Sequence, residues 1–298
     1  MSAPRFGRVL TAMVTPFGSD GSVDYDVATT LAKFLVAEGS DGLVVAGSTG
    51  EGSSLSDEEK LNLFACVAEA VTVPVLAGST FANTQQSVAL TTRVKATGAA
   101  GVLATTPAYA RPNQLGIAAH LGAIAESTPL EVMLYDIPIR TGRKIHSATT
   151  IDLVTKHKNI MALKDASGDL VSAAHTKAVL GDELDLYSGD DSMLLGFLAI
   201  GAVGIVSVAA HWAGPEVAGI VRAFEKGKLE KAQALYERAA PSFAFESSEA
   251  YPNPMPSKAA LRALGFSVGE CRLPHAPSDL DLDRSAAEIV TSLKNTRG

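Results

Sequence analysis

The chain is poor in several things, and each shortage excludes a class of protein. Only two of its 298 residues are cysteine, Cys66 and Cys271, so no disulfide framework can hold it, and the pair reads as reduced cytosolic thiols. Basic residues are outnumbered, 25 Lys and Arg against 32 Asp and Glu, for a formal charge of -7. A nucleic-acid-binding surface is therefore not expected. There is one tryptophan, and aromatics make up 6%. No G-x-G-x-x-G follows the first apolar run, and no G-x-x-x-x-G-K-[ST], H-x-H or H-E-x-x-H occurs. Dinucleotide, P-loop and zinc-peptidase readings lose their support. No secretory signal pattern is read at the N-terminus, where no long apolar run precedes Pro16.

What is present is a soluble-domain composition, 47% hydrophobic and 19% charged. One stretch, 192–215, has no Asp, Glu, Lys or Arg and is long enough to raise the question of a membrane span. Four glycines interrupt it, and a buried helix running into a buried strand has the same composition. That second reading is preferred.

A short apolar run, a polar turn and an amphipathic segment repeat along the chain. Strands are predicted at 9–14, 42–46, 74–77, 101–104, 131–135, 160–164, 184–188 and 202–208. Helices are predicted between and after them at 24–38, 57–71, 84–97, 114–126, 147–156, 170–179, 192–199 and 215–224. Strand starts lie about 30 residues apart, the length of one βα unit with its loops. Runs such as LVVAG and IMALK do not alternate, as suits parallel strands buried on both faces. Eight such units predict a closed (β/α)8 TIM barrel rather than an open sheet. Residues 1–226 are assigned to a catalytic barrel and 227–298 to a small helical extension, with helices at 227–246, 257–264 and 285–293. Pro252, Pro254 and Pro256 forbid a regular helix through their stretch.

In such a barrel, reacting groups stand at the C-terminal ends of the strands. Lys164 ends the sixth run. Facing the core, it would be a desolvated amine able to attack a carbonyl; facing outward, it would pair with Asp165. Lys258 is a weaker rival. Tyr135 ends the fifth run, either as a proton carrier or as core filling. Ser48 and Thr49 in GSTGE offer hydroxyls to a carboxylate, or merely cap a turn. Arg140 supplies a cation for an anionic substrate or a solvated surface charge. Asp190 and Asp191 read as a helix N-terminal turn rather than a cation site. No metal site and no cofactor are expected.

These motifs together resemble the dihydrodipicolinate synthase family, within the pyruvate-dependent class I aldolases that include N-acetylneuraminate lyase. The resemblance runs through TAMVTPF (11–17), GSTGE (47–51), TTPAY (105–109), YDIPIRTG (135–142), MALKDASGDL (161–170), YSGDD (187–191) and RLPHAP (272–277). The family condenses pyruvate with L-aspartate-4-semialdehyde, and a sugar-acid or hydroxy-keto-acid lyase is the alternative. The resemblance implies that Lys164 is the Schiff-base lysine, Tyr135 the proton donor and acceptor, and Thr49 a relay to Tyr109. Tyr109 is expected to cross a tight dimer interface in a cytoplasmic homotetramer. Ser48 and Thr49 would hold the pyruvate carboxylate, Arg140 the semialdehyde carboxylate, and the Val206 backbone would lie against pyruvate. Asp136 departs from the family's usual asparagine. Ala108, Lys60 and Gln86 stand where feedback-regulated relatives place a tyrosine, a histidine and a glutamate, which implies weak or absent inhibition by lysine.

Overall fold

The structure, a computed structural model, describes residues 4–80 and 82–297. Eight parallel strands pair in sequence order, and β8 returns to β1 to close the barrel. In chain order the elements are β1 (Val9–Ala12), α1 (Tyr25–Ala37), β2 (Gly42–Val45), α2 (Asp57–Ala70), β3 (Val75–Gly78), α3 (Thr84–Val94) and β4 (Gly101–Thr105). They continue with α4 (Gln114–Glu126), β5 (Glu131–Asp136), α5 (Pro138–Thr141), α6 (Ser147–Lys156), β6 (Ile160–Asp165), α7 (Leu170–Leu180), β7 (Asp185–Ser188), α8 (Leu194–Ala199) and β8 (Gly204–Ser207). The last four helices are α9 (Ala210–Glu225), α10 (Leu229–Phe245), α11 (Met255–Ala263) and α12 (Leu280–Arg297).

The helices begin where short polar side chains can bind their first free N–H groups. Asp24, Asn83, Asn113 and Asp169 each cap a helix in this way, and Ser56 with Glu59 forms a reciprocal capping box on α2. Strand side chains divide by parity. Leu10, Val44, Leu76, Leu103, Met133, Ala162, Tyr187 and Val206 fill the barrel interior. Leu43, Val45, Val75, Ala77, Val102, Leu134 and Leu163 face the helix layer. Closure brings backbones very close at one seam. A Cβ on Gly204 would stand 1.8 Å from the Arg8 carbonyl oxygen, so β8 meets β1 only because this residue has no side chain.

The predicted barrel is present, with shifted ends. Strand three runs one residue later than expected, and strand eight loses both ends of the apolar run at 202–208. The charge-free stretch holds α8, β8 and the start of α9; among the described residues no helix is long and apolar enough to cross a membrane. Helix α9 starts at Ala210 rather than at Pro215, and absorbs the proline beyond a kink at Ala213. The prolines of YPNPMP do not delay the next helix as far as expected. Pro256 lies in the first turn of α11, where a missing N–H breaks no helical bond.

The C-terminal segment packs α10 along α9 and α11 against α12. It also reaches the mouth of the barrel. Arg272 binds Glu59 of α2 with both terminal nitrogens, and Lys258 pairs with Glu51 after β2. The Arg272 guanidinium holds the Glu59 carboxyl down at about 2.

Candidate active site

β6 settles the direction of Lys164. Ala162 belongs to the barrel interior and Leu163 to the outer layer, so alternation turns Lys164 inward and Asp165 outward. Lys164 is 4% exposed and in register with Tyr135 on one side and Tyr187 on the other. Its Nζ stands 4.2 Å from the centroid of the Tyr135 ring. The outward pairing with Asp165 is therefore not made. Asp165 instead accepts from the Ser167 N–H.

A cavity of about 600 Å³ opens over this pair at the C-terminal ends of the strands. Ser48, Thr49, Tyr135, Arg140 and Lys164 all line it, which gathers five of the seven residues to which the resemblance gives a catalytic or binding role. Thr49 is buried, and its Oγ1 accepts a 2.9 Å hydrogen bond from Asn253 Nδ2. Among the described residues no hydrogen bond joins Thr49 to Tyr135. Ser48 is half-buried in the turn after β2. That turn is tight: a Cβ on Gly52 would lie 2.1 Å from the Ala46 carbonyl oxygen. Arg140 sits on the short helix α5 and donates from Nη2 to the Asn253 carbonyl at 2.9 Å. Ser48 and Arg140 also line a second cavity of about 300 Å³ beside the first, together with Ala108, Pro274 and His275.

Two predicted residues lie outside the larger cavity. Tyr109 follows β4 with a φ of 68°, is 97% exposed and does not line the cavity that holds Lys164. Val206 is fully buried in the barrel interior, and Val208 supplies the cavity wall at that edge.

Sequence reasoning missed Asn253 and Glu246. Both line the cavity from the extension that had been set apart from the barrel. Nothing local marks either as functional, since Asn253 lies among prolines and Glu246 at the end of an ordinary amphipathic helix.

The rival lysine is structural. Lys258 Nζ lies 2.8 Å from Glu51 Oε1, donates to the Glu270 carbonyl and stacks on the Phe17 ring. Burial lowers its pKa and Glu51 opposes that shift. His211 is likewise a satisfied core histidine. Its Nε2 accepts from the Val14 N–H, which leaves Nδ1 to donate to the Val208 carbonyl, and burial lowers its pKa to about 4. Burial pushes the thiols of Cys66 and Cys271 up to about 11 and about 12, so neither is an activated nucleophile. Among the described residues no group of three or more His, Cys, Asp or Glu is placed to hold a metal ion.

Behind the site, on the outward face, Asp136 and Asp165 are register partners. Asp136 Oδ1 accepts from the Ile145 N–H, yet burial, helped by Asp165, raises its carboxyl to about 7.

The chain has close counterparts among known proteins. The profile of the dihydrodipicolinate synthetase family matches residues 5–293. A 4-hydroxy-tetrahydrodipicolinate synthase of Moorella thermoacetica is 45% identical over 294 residues, covering 98% of this chain and 99% of its own. That of Synechococcus elongatus is 42% identical over 291 residues, covering 97% and 96%. A crystal structure of the Cyanidioschyzon merolae enzyme with lysine bound superposes with a TM-score of 0.94 at 39% identity, covering 98% of this chain and 99% of that one. With an inward lysine beside a tyrosine at adjoining strand ends and a match along nearly its whole length, the chain belongs to the dihydrodipicolinate synthetase family.

Proposed function

We propose that the chain catalyses the condensation of pyruvate with L-aspartate-4-semialdehyde to 4-hydroxy-tetrahydrodipicolinate, a step toward diaminopimelate and lysine. The observation that carries this is the burial of Lys164 at the inward end of β6, against Tyr135, in a cavity that also holds Arg140. A lysine amine presented in such a cavity is placed to attack the carbonyl of a bound keto acid.

The amine of Lys164 condenses with the keto carbon of pyruvate, and the cationic imine acts as the electron sink, so no cofactor is required. Loss of a methyl proton gives the enamine, which attacks the aldehyde carbon of the second substrate. The substrate's own amine then displaces Lys164 as the ring closes. Tyr135 handles protons at the amine, in contact range of Nζ. Ser48 and Thr49 hold the pyruvate carboxylate, with the Val206 backbone behind it. Arg140 receives the distal carboxylate in a two-point contact. An arginine here favours the semialdehyde over the sugar-acid or hydroxy-keto-acid substrates of related lyases.

Thr49 and Tyr109 complete a proton relay only if Tyr109 comes from a second copy, since its side chain leaves its own barrel for solvent. A tight dimer, paired again into a homotetramer, supplies that arrangement. Exposed Ile139 on α5 and Leu115 on α4 are apolar surface that such an interface would cover. We assign residues 1–226 to the catalytic barrel, residues 227–298 to the extension that closes one side of its mouth, and the enzyme to the cytoplasm.

Product analysis tests the reaction. Supplying pyruvate and the semialdehyde together should give a product that a dipicolinate reductase consumes with nicotinamide oxidation. Turnover of a sugar acid, with none of the semialdehyde, would overturn the substrate assignment.

A further inference from the structure

Glu246 directly follows α10, in the extension, yet it lines the cavity that holds Lys164. Its carboxyl lies beside that of Asp191, in the turn after β7, and each acts on the titration of the other. Two buried carboxyls side by side do not both ionise, so one keeps its proton. The surroundings decide which one carries it. Asp191 Oδ1 accepts from Ser207 Oγ, and Oδ2 accepts from the N–H groups of Val208 and Ala209. Those three donors favour its anion. Glu246 Oε2 is buried with no hydrogen-bond partner, where a full negative charge would be costly. Glu246 is thus the acid of the pair and Asp191 the base.

The charged groups around Glu246 agree with this division. Burial, Asp191 and Asp190 raise its pKa well above the usual carboxyl value, and Lys164 acts the other way. Arg140 from α5 and Glu249 from its own loop share the cavity.

A neutral acid at this place answers a need of the chemistry. When Lys164 adds to a keto acid, the first product is a carbinolamine, whose hydroxyl must leave as water. We propose that Glu246 gives the proton for that departure. The C–O bond breaks as the nitrogen lone pair forms C=N, and the leaving oxygen takes the Glu246 proton. The products are water, a cationic imine on Lys164 and a Glu246 carboxylate, so a negative charge appears in the cavity where the positive one forms. Tyr135 serves the nitrogen side, and Glu246 serves the oxygen. The inference rests on Lys164 being the imine-forming residue.

The test is Glu246→Gln in the full chain, since the amide keeps the shape and polarity of the side chain but has no proton to give. Imine formation with pyruvate, followed by rapid mixing and borohydride trapping, should slow by about a hundredfold. The final yield of adduct on Lys164 should be unchanged, and the alkaline fall-off of the wild-type rate should vanish. Glu246→Asp, which keeps an acid on a shorter arm, should retain that fall-off and recover part of the rate. A Gln variant that forms the adduct on Lys164 at the wild-type rate, with the wild-type pH profile, overturns the role of Glu246 alone. Absence of any Lys164 adduct in the wild-type protein would overturn the imine reading beneath it.

Discussion

Asn253 and Thr49, 204 residues apart in sequence, are joined by a 2.9 Å hydrogen bond from the Asn253 amide to the Thr49 hydroxyl inside the cavity wall. The same asparagine receives Ser257 Oγ at its side-chain oxygen and Arg140 Nη2 at its carbonyl. One residue of the extension therefore orients a hydroxyl and a guanidinium of the barrel. Asn253→Ala should cost about 1–3 kcal/mol in stability, as expected for buried polar partners left unpaired. It should lower kcat more than this loss of folded protein explains. Thermal unfolding measured beside kcat at saturating substrate checks both, and an unchanged kcat would show that the contact is only structural.

Arg140 offers a planar fork that lysine cannot copy. Arg140→Lys should raise the KM for the semialdehyde tenfold or more, consistent with a charge-assisted hydrogen bond of about 1.5–3 kcal/mol. Formation of the pyruvate adduct should be little affected. Steady-state kinetics with each substrate varied in turn separates the two effects, and a rise confined to the pyruvate KM would contradict the assignment.

Asp136 carries a pH dependence of definite sign. Its folded pKa, about 7, lies above the unfolded carboxylate value of 3.8. Below about pH 4 both states are protonated and the group has no effect. Between that point and pH 7 the unfolded chain loses the proton first, so stability falls as pH rises, and the deficit persists above pH 7. Asp136→Asn keeps an oxygen for the Ile145 N–H and removes the titration. The variant should be more stable than wild type at pH 8, by a few kcal/mol at most, and nearly equal at pH 4. Denaturant unfolding at the two pH values checks this, and an equal difference at both would contradict it.

Regulation by lysine is expected to be weak. Lys60 is buried, and desolvation lowers its pKa to about 8. Gln86 and Ala108 are exposed and offer neither a carboxylate nor a phenol. Millimolar L-lysine should leave the initial rate nearly unchanged, and strong inhibition would show that other residues form the effector site.

Much of this was legible in the residues. The eight apolar runs set the barrel because parallel strands buried on both faces need no alternation, and the caps Asp24, Asn83 and Asn113 stood where the helices begin. The same lack of alternation hid the direction of Lys164. In IMALK both faces are apolar, so parity emerged only when Ala162 and Leu163 were seen in different layers. Asn253 and Glu246 were out of reach for another reason. Their roles depend on how the extension folds back over the barrel, a long-range contact that no local pattern encodes.

The most direct measurement is borohydride reduction in the presence of pyruvate, followed by peptide mass mapping. The chain should gain one reduced pyruvate adduct on Lys164, and Lys164→Ala should gain none and lose activity. An adduct on another lysine, or activity that survives in Lys164→Ala, would contradict the imine mechanism.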